Sequence, residues 1–515
     1  MNHLLLAAGL ATMLAPGVGY AAPPDDTLVV GLGTDISTFD PDNVNSRDNA
    51  NVEKYIFGTL YSVEADGSIK PQLASSYKVS DDGLGYTFTL NKGLTCEDGE
   101  PLTAEDVAYS FDRANDAAAG YTGNTPGFVL TSIGYKSSKV VDDLNVTLNL
   151  GVKSSVNLGM IAEVYIHCKD SYSKMTADQA ASHPIGSGSY KLVSWTPGAD
   201  IILEKVKDPG NFKTIDFRVI PEASTRTAEL IAGNVDIITN VAPDQIDAID
   251  NSGSAKVQRV AGTRRMYFGF NLSPSFADTP GGAAIQKVAV RQALQYAVDV
   301  PTICKQLLNF DCTRATSMVN DPNGDPDLKP YPYDPDQAEK LLDAAGYPRG
   351  ADGTRFEIKI QAPRGRYLND ANVALAVGQY LTDIGVKADV ELLDWASVYV
   401  PLISKHEAGP MFFLGSGGAT WSALYDMSDL ATVDSGPNYT NWSNPDFFNG
   451  WKEIENAKTP EEERTIINRM LKVMYDDSPW LFMYFQPDFY GVSNRINWTA
   501  RRDEEIDLWN VTLNK

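Results

Sequence analysis

An α/β architecture with mixed sheets is the fold class that this 515-residue chain predicts. Three observations carry it. Apolar runs of strand length alternate with stretches of helical period along most of the chain. Hydrophobic residues make up 43% of the sequence, enough for sizeable cores, and the length exceeds what one domain usually holds. No internal repeat or low-complexity tract breaks the pattern.

The elements follow in order. TLVVGLG (27–33) is an apolar strand ending in glycines. NANVEKYIFGTLYSV reads as a helix with Val52, Ile56, Phe57, Leu60 and Tyr61 on one face. YTFTLN (86–91) alternates like a half-buried strand. PLTAEDVAYSFDRAND opens a helix, with Thr103 as N-cap and Asp106 placed three residues on for a capping box. VTLNL (146–150) is a strand, and SHPIGSGSY (182–190) is a Gly/Ser turn. IILEKV and DFRVI read as strands, and STRTAELIAGNVDII as a helix followed by a strand. RRMYFGFN (264–271) is a strand, and 288–308 has continuous helical period through Val290, Ala293, Leu294 and Ala297. DPDQAEKLLDAAGYPRG predicts a helix with an Asp N-cap and Gly346 near its end. FEIKIQ, NDANVALAVGQYLTDIGV and KADVELLDW then give strand, helix, strand.

The formal charge of −24 disfavours nucleic acid and anionic lipid as partners. At the N-terminus, Leu4 to Leu14 is an apolar run too short to span a bilayer. Small residues at Gly19 and Ala21 make it a secretory signal peptide cleaved near Ala21, so the localisation expected is periplasmic. The basic residue usual before such a run is missing, with His3 alone in its place, which leaves the true translation start open. No Cys follows the cleavage site for a lipid anchor. Four cysteines lie in the exported part, and four allow three pairings. The short spacing favours Cys304 with Cys312, leaving Cys96 with Cys168; buried free thiols are the alternative.

Catalytic signatures are scarce. The chain has four histidines, His3, His167, His183 and His406, and no H-E-x-x-H, G-x-S-x-G or P-loop pattern. Asp321, Asn323, Asp325 and Asp327 look like half a calcium loop, but Pro326 stands where the obligatory glycine belongs. No enzyme activity, metal or cofactor is expected. The remote rival is a secreted hydrolase on an α/β scaffold.

Five motifs occur in a telling order: TFDPDN (38–43), the long stretch 69–113, PIGSGSYKLVSW (184–195), VRQALQYAVD (290–299) and YDPDQAEKLLDAAGYPRG (333–350). With them the chain resembles the extracytoplasmic solute-binding proteins of ABC importers, in the peptide-binding family 5 cluster. The resemblance implies a two-lobed periplasmic-binding-protein fold of type II that closes on ligand by a hinge. Lobe one would be 22–265 plus 487–515, with an inserted subdomain at about 61–180, and lobe two 266–486. It also implies a monomer that delivers a small polar solute, peptide-like by default, to an ABC permease and ATPase complex.

The same resemblance points to Trp395 and Trp421 as cleft residues. An aromatic face supplies large area at small entropic cost, although core packing is the rival role for either ring. Glycines at 415, 417 and 418 would let a ligand approach the backbone beside Trp421. Arg366 with Tyr367 is a candidate for holding a carboxylate or phosphate through bidentate bonds, with a surface ion pair as its rival role. Asn49 and Tyr484 complete the set. Dipeptide and oligopeptide binders of the family carry an Asp in the loop corresponding to GSGGATWSALYD (415–426), where it pairs with the ligand ammonium. Ala419 stands in that place, with Asp426 and Asp429 as substitutes further along. The alternative ligand is therefore one without an amine, an opine or an oligosaccharide.

Overall fold

The computed structural model describes residues 22–44, 46–320, 323–417, 422–430 and 437–514. At its centre lies a ten-stranded mixed sheet. Its order is Tyr190–Thr196, Asp200–Lys205, Thr214–Val219, Thr27–Leu32, Ile237–Ile238, Trp480–Ser493, Ala255–Phe270, Met411–Ser416, Phe356–Arg364 and Val386–Asp394. Two long antiparallel strands run through the middle, Ala255–Phe270 and Trp480–Ser493.

That long ladder is irregular over one short stretch, with a register shift between Ala261 and Arg265 and a second between Arg265 and Tyr267. Pairing runs regularly to Ala261 opposite Pro487 and resumes with Arg265 opposite Phe485. Pro487 has no N–H to give. Gly262 lies so close to the partner strand that a Cβ there would sit 2.4 Å from both the Gln486 carbonyl and Asp488 Oδ2. A bulge bends a strand and sharpens its twist. The cores part there only incompletely: Val257, Phe489 and Tyr490 pack with residues 28–57 and 172–249, whereas Met266 to Phe270 and Trp480 to Tyr484 share one continuous core with residues 284–474 and 60–168.

A separate four-stranded antiparallel sheet, ordered Ala74–Val79, Gly85–Leu90, Asn145–Asn149, Ser137–Asp142, carries the helix Ala104–Ala114. The capping box expected of Thr103 and Asp106 is formed. Both disulfides are present, Cys96–Cys168 with Cα atoms 6.2 Å apart and Cys304–Cys312 with 6.0 Å.

Two expected helices are shorter than their periodicity implies. The first covers Arg47–Ile56 and stops before Leu60, because Phe57 is extended and Gly58 begins a strand. The glycines of PIGSGSY press against its end: a Cβ on Gly186 would lie 1.9 Å from the Ile56 carbonyl oxygen, and the Gly188 N–H donates to that oxygen at 2.7 Å. The 288–308 stretch is two helices, Val288–Tyr296 and Val300–Leu307. Pro301 forces the restart, and Asp299 caps it by accepting the Thr302 N–H at 3.1 Å.

Candidate functional site

Two walls face one another beside the slipped ladder. The wall from the second half of the chain is aromatic. The loop after Phe356–Arg364 is fixed by Asp370, whose carboxylate accepts the backbone N–H groups of Gly365, Arg366 and Tyr367 at 3.0, 2.8 and 3.0 Å. This holds Arg366 over two rings, its Cζ 5.2 Å from the Tyr367 centroid and 5.4 Å from that of Trp395. The guanidinium is exposed and has no carboxylate partner among the described residues. Tyr367 donates its hydroxyl to the Gly415 carbonyl at 3.2 Å. Together with Gly415, Ser416 and Tyr439 these residues border a cavity of about 370 Å³. A Cβ on Gly417 would lie 3.0 Å from the Arg264 guanidinium, so the smallness of that residue lets the two walls meet.

The opposite wall is charged. Arg264 donates to Glu504 at 2.9 Å. Glu505 pairs with Lys54 at 3.0 Å and Arg47 at 3.4 Å. Burial would raise the Glu505 carboxyl, but Lys54, Arg47 and Arg501 outweigh it and hold the group well below the usual carboxylate range. Glu163 is pushed the other way, up to about 7, because burial outweighs its attraction to Arg47. The walls also touch where Tyr425 reaches Glu163 at 3.4 Å and sets its ring edge against Phe128 at 5.6 Å. Within the second half of the chain the Leu368 N–H donates to Gln486 at 3.0 Å.

The remaining sequence candidates fall in different places. Ala419 and Trp421 lie outside the described residues, and so does the side chain of Asp429. Asp426 borders the cavity, but its carboxylate is engaged by Arg265 at 2.8 Å and by the Asn320 N–H at 2.9 Å. Asn49 and Tyr484 do not border it. Asn49 is 2% exposed and ties its helix to the preceding loop, donating to the Thr38 carbonyl at 2.7 Å. Tyr484 is 1% exposed and sits beside the Arg314 bridge. Of the sequence candidates, Arg366, Tyr367 and Trp395 are thus brought together, with Gly417 beside them. The charged wall of Arg47, Glu163, Arg264, Asp488 and Glu504 has no local signature, since its residues come from five separate segments.

One further cluster is chemically notable. Asp40, Asp42 and His167 bring potential ligand atoms within 4.8 Å of one another. Arg113 already bonds both carboxylates, so the group is a buried ion pair around TFDPDN rather than an open cation site.

The chain is similar to the glutathione-binding protein GsiB of Escherichia coli O1:K1, with 26% identity over 503 residues covering 93% of this chain and 92% of that one. Its fold is that of DppA from Helicobacter pylori solved in complex with peptide STSA, at a TM-score of 0.78 and 22% identity over 95% of this chain and 98% of that one. It is equally that of AgaA from A. tumefaciens R10 solved with agropinic acid, at 0.77 and 24% over 95% and 99%. The model of the bacterial extracellular solute-binding proteins, family 5, matches residues 68–438, and the chain belongs to that family.

Proposed function

We propose that the protein captures a peptide-like solute between the two walls and hands it to the permease and ATPase of an ABC importer, without chemical change to the solute. The observation that carries this reading is Arg366: a guanidinium held over two rings, facing a cavity, with no acid partner among the described residues. Such a group suits a ligand carboxylate, which it grips by paired charge-assisted bonds. The glutathione-binding and peptide-bound relatives support a peptide-like ligand. Lobe one comprises 22–265 plus 487–515 and lobe two 266–486, and the slip at Gly262 and Pro487 is the hinge. Few residues need absorb the rotation in such a closure. The protein works as a monomer outside the cytoplasm, after removal of the segment ending near Ala21.

A second reading, an opine-like ligand, draws on Ala419 in the loop where family peptide binders carry an acid, and on the relative solved with agropinic acid. Titration calorimetry with the tetrapeptide Ser-Thr-Ser-Ala, S-methylglutathione, agropinic acid and maltotriose separates the readings. A peptide at a hundredfold its dissociation constant should add about 2.7 kcal/mol of stability. Response to agropinic acid or the sugar alone would replace the peptide reading. Mass spectrometry of the recovered peptide should return it intact, and cleavage would end the binding-only account.

A further inference from the structure

Cys304 and Cys312 bracket a loop that leads to Arg366. Helix Val300–Leu307 ends inside it, and residues 308–313 form neither helix nor strand. The N–H groups of Leu308 and Phe310 turn back to the Cys304 carbonyl at 2.9 and 3.4 Å, and the disulfide closes the loop. Two residues beyond Cys312, the buried Arg314 donates to the carbonyls of Phe482, Gln295, Val298 and Tyr331. The bond thus ties the end of the helix to a fixed anchor.

Two groups of this loop reach the residues that follow Arg366 and Tyr367. The Leu307 carbonyl, of the kind a helix C-terminus leaves without an internal partner, accepts the Asn369 side-chain amide at 2.8 Å. Asn369 stands before helix Asp370–Asp383 at a φ of 53°, a left-handed conformation that Asn tolerates better than most residues. Its side chain does not cap that helix, so the amide serves the neighbouring element instead. Phe310 packs with Leu368 on one apolar cluster and meets the Phe489 ring at 6.1 Å. Each residue from 365 to 369 is therefore held: Gly365, Arg366 and Tyr367 by Asp370, Leu368 by Gln486 and Asn369 by Leu307.

We propose that the Cys304–Cys312 bond and Asn369 position Arg366 for the ligand carboxylate, acting through the Leu307 carbonyl. The inference rests on the binding reading above. Arg366 borders the cavity; the two cysteines and Asn369 do not, so their part is to position and not to touch. Paired bonds from a guanidinium to a carboxylate need a set direction. That direction depends on where the Arg366 backbone sits above its two rings. A cross-link withholds freedom from a chain segment that carries no regular structure of its own. Freed of it, the helix end frays, the Leu307 carbonyl loses its place and Asn369 loses its acceptor. The other disulfide, Cys96–Cys168, lies in the inserted subdomain and supplies the internal comparison.

The experiment measures binding of Ser-Thr-Ser-Ala and of its C-terminal amide by calorimetry on the whole protein. The chains compared are the unaltered one, Cys304→Ala/Cys312→Ala, Asn369→Gly and Cys96→Ala/Cys168→Ala. Glycine keeps the left-handed backbone at 369 while removing the amide. The unaltered protein should prefer the free carboxylate by about 10- to 100-fold. Cys304→Ala/Cys312→Ala and Asn369→Gly should each shrink that preference by about 3- to 10-fold. Both should bind the amide as before, which shows that they are folded, and Cys96→Ala/Cys168→Ala should keep the full preference. The positioning assignment falls, and the reading of Arg366 stands, if either variant retains the preference, if Asn369→Gly loses the two peptides in equal measure, or if Cys96→Ala/Cys168→Ala shrinks the preference as much. Where the Cys304→Ala/Cys312→Ala protein binds neither peptide, Asn369→Gly decides. If the unaltered protein binds both peptides alike, the reading of Arg366 and this inference fall together.

Discussion

The two walls of the cleft are built on opposite principles. One is an aromatic platform whose guanidinium has no acid partner among the described residues, held by three backbone bonds to Asp370. The other is a dense set of charges paired largely with one another, Arg264 with Glu504 and Glu505 with Lys54 and Arg47. The platform is pre-organised, so little is lost in ordering it when a ligand arrives. The charged wall has spent most of its electrostatics internally, and what remains unpaired on it decides what else is admitted. Affinity for a carboxylate should therefore reside on Arg366, which borders the cavity.

The largest expected effect tests a residue that borders the cavity yet serves the fold. Asp426→Ala leaves Arg265 buried without its partner, which typically costs about 3–5 kcal/mol of stability. Urea unfolding should show that loss; a stable variant with weakened ligand binding would instead put Asp426 on the ligand side of the comparison. Next comes Arg366→Ala, expected to weaken a peptide with a free carboxylate by about 1.5–3 kcal/mol while leaving its C-terminally amidated form little changed. Equal losses for both forms would mean that Arg366 does not read the carboxylate. Trp395→Leu removes one ring beneath that guanidinium and should cost about 0.5–1 kcal/mol of affinity. No loss would make the ring a packing element.

The smallest effect concerns pH at the contact between the walls. The Glu163 carboxyl rises from 4.5 to about 7 on folding, so the folded protein holds that proton more tightly than the unfolded chain. Its contribution is therefore most favourable at low pH and is lost as pH rises through about 7. Glu163→Gln should flatten that part of the stability profile in urea titrations at about pH 5 and pH 7.5. An unchanged slope would show that Glu163 stays charged against Arg47 throughout.

How much of this the sequence disclosed follows from how each wall is assembled. Elements whose signals are local were legible: the capping box at Thr103, the Asp334 cap before Pro335–Ala344, and the strands beginning at Thr27 and Phe356. Periodicity misled where a tertiary constraint ended a helix early. The glycines at 186 and 188 close on Ile56 from far along the chain, and Pro301 restarts a helix that apolar spacing alone would continue. The platform could be anticipated because Arg366 and Tyr367 are adjacent and Trp395 follows the next strand. The charged wall could not, because Arg47, Glu163, Arg264, Asp488 and Glu504 are ordinary surface-type residues until folding brings them together. Asn49 and Tyr484 show the converse: residue types suited to binding, folded into the interior.

The most direct test is a crystal structure of the protein grown with Ser-Thr-Ser-Ala. The peptide should lie between the walls with its carboxylate in hydrogen-bond reach of the Arg366 guanidinium. A peptide lying elsewhere, or bound with its carboxylate away from Arg366, would contradict it.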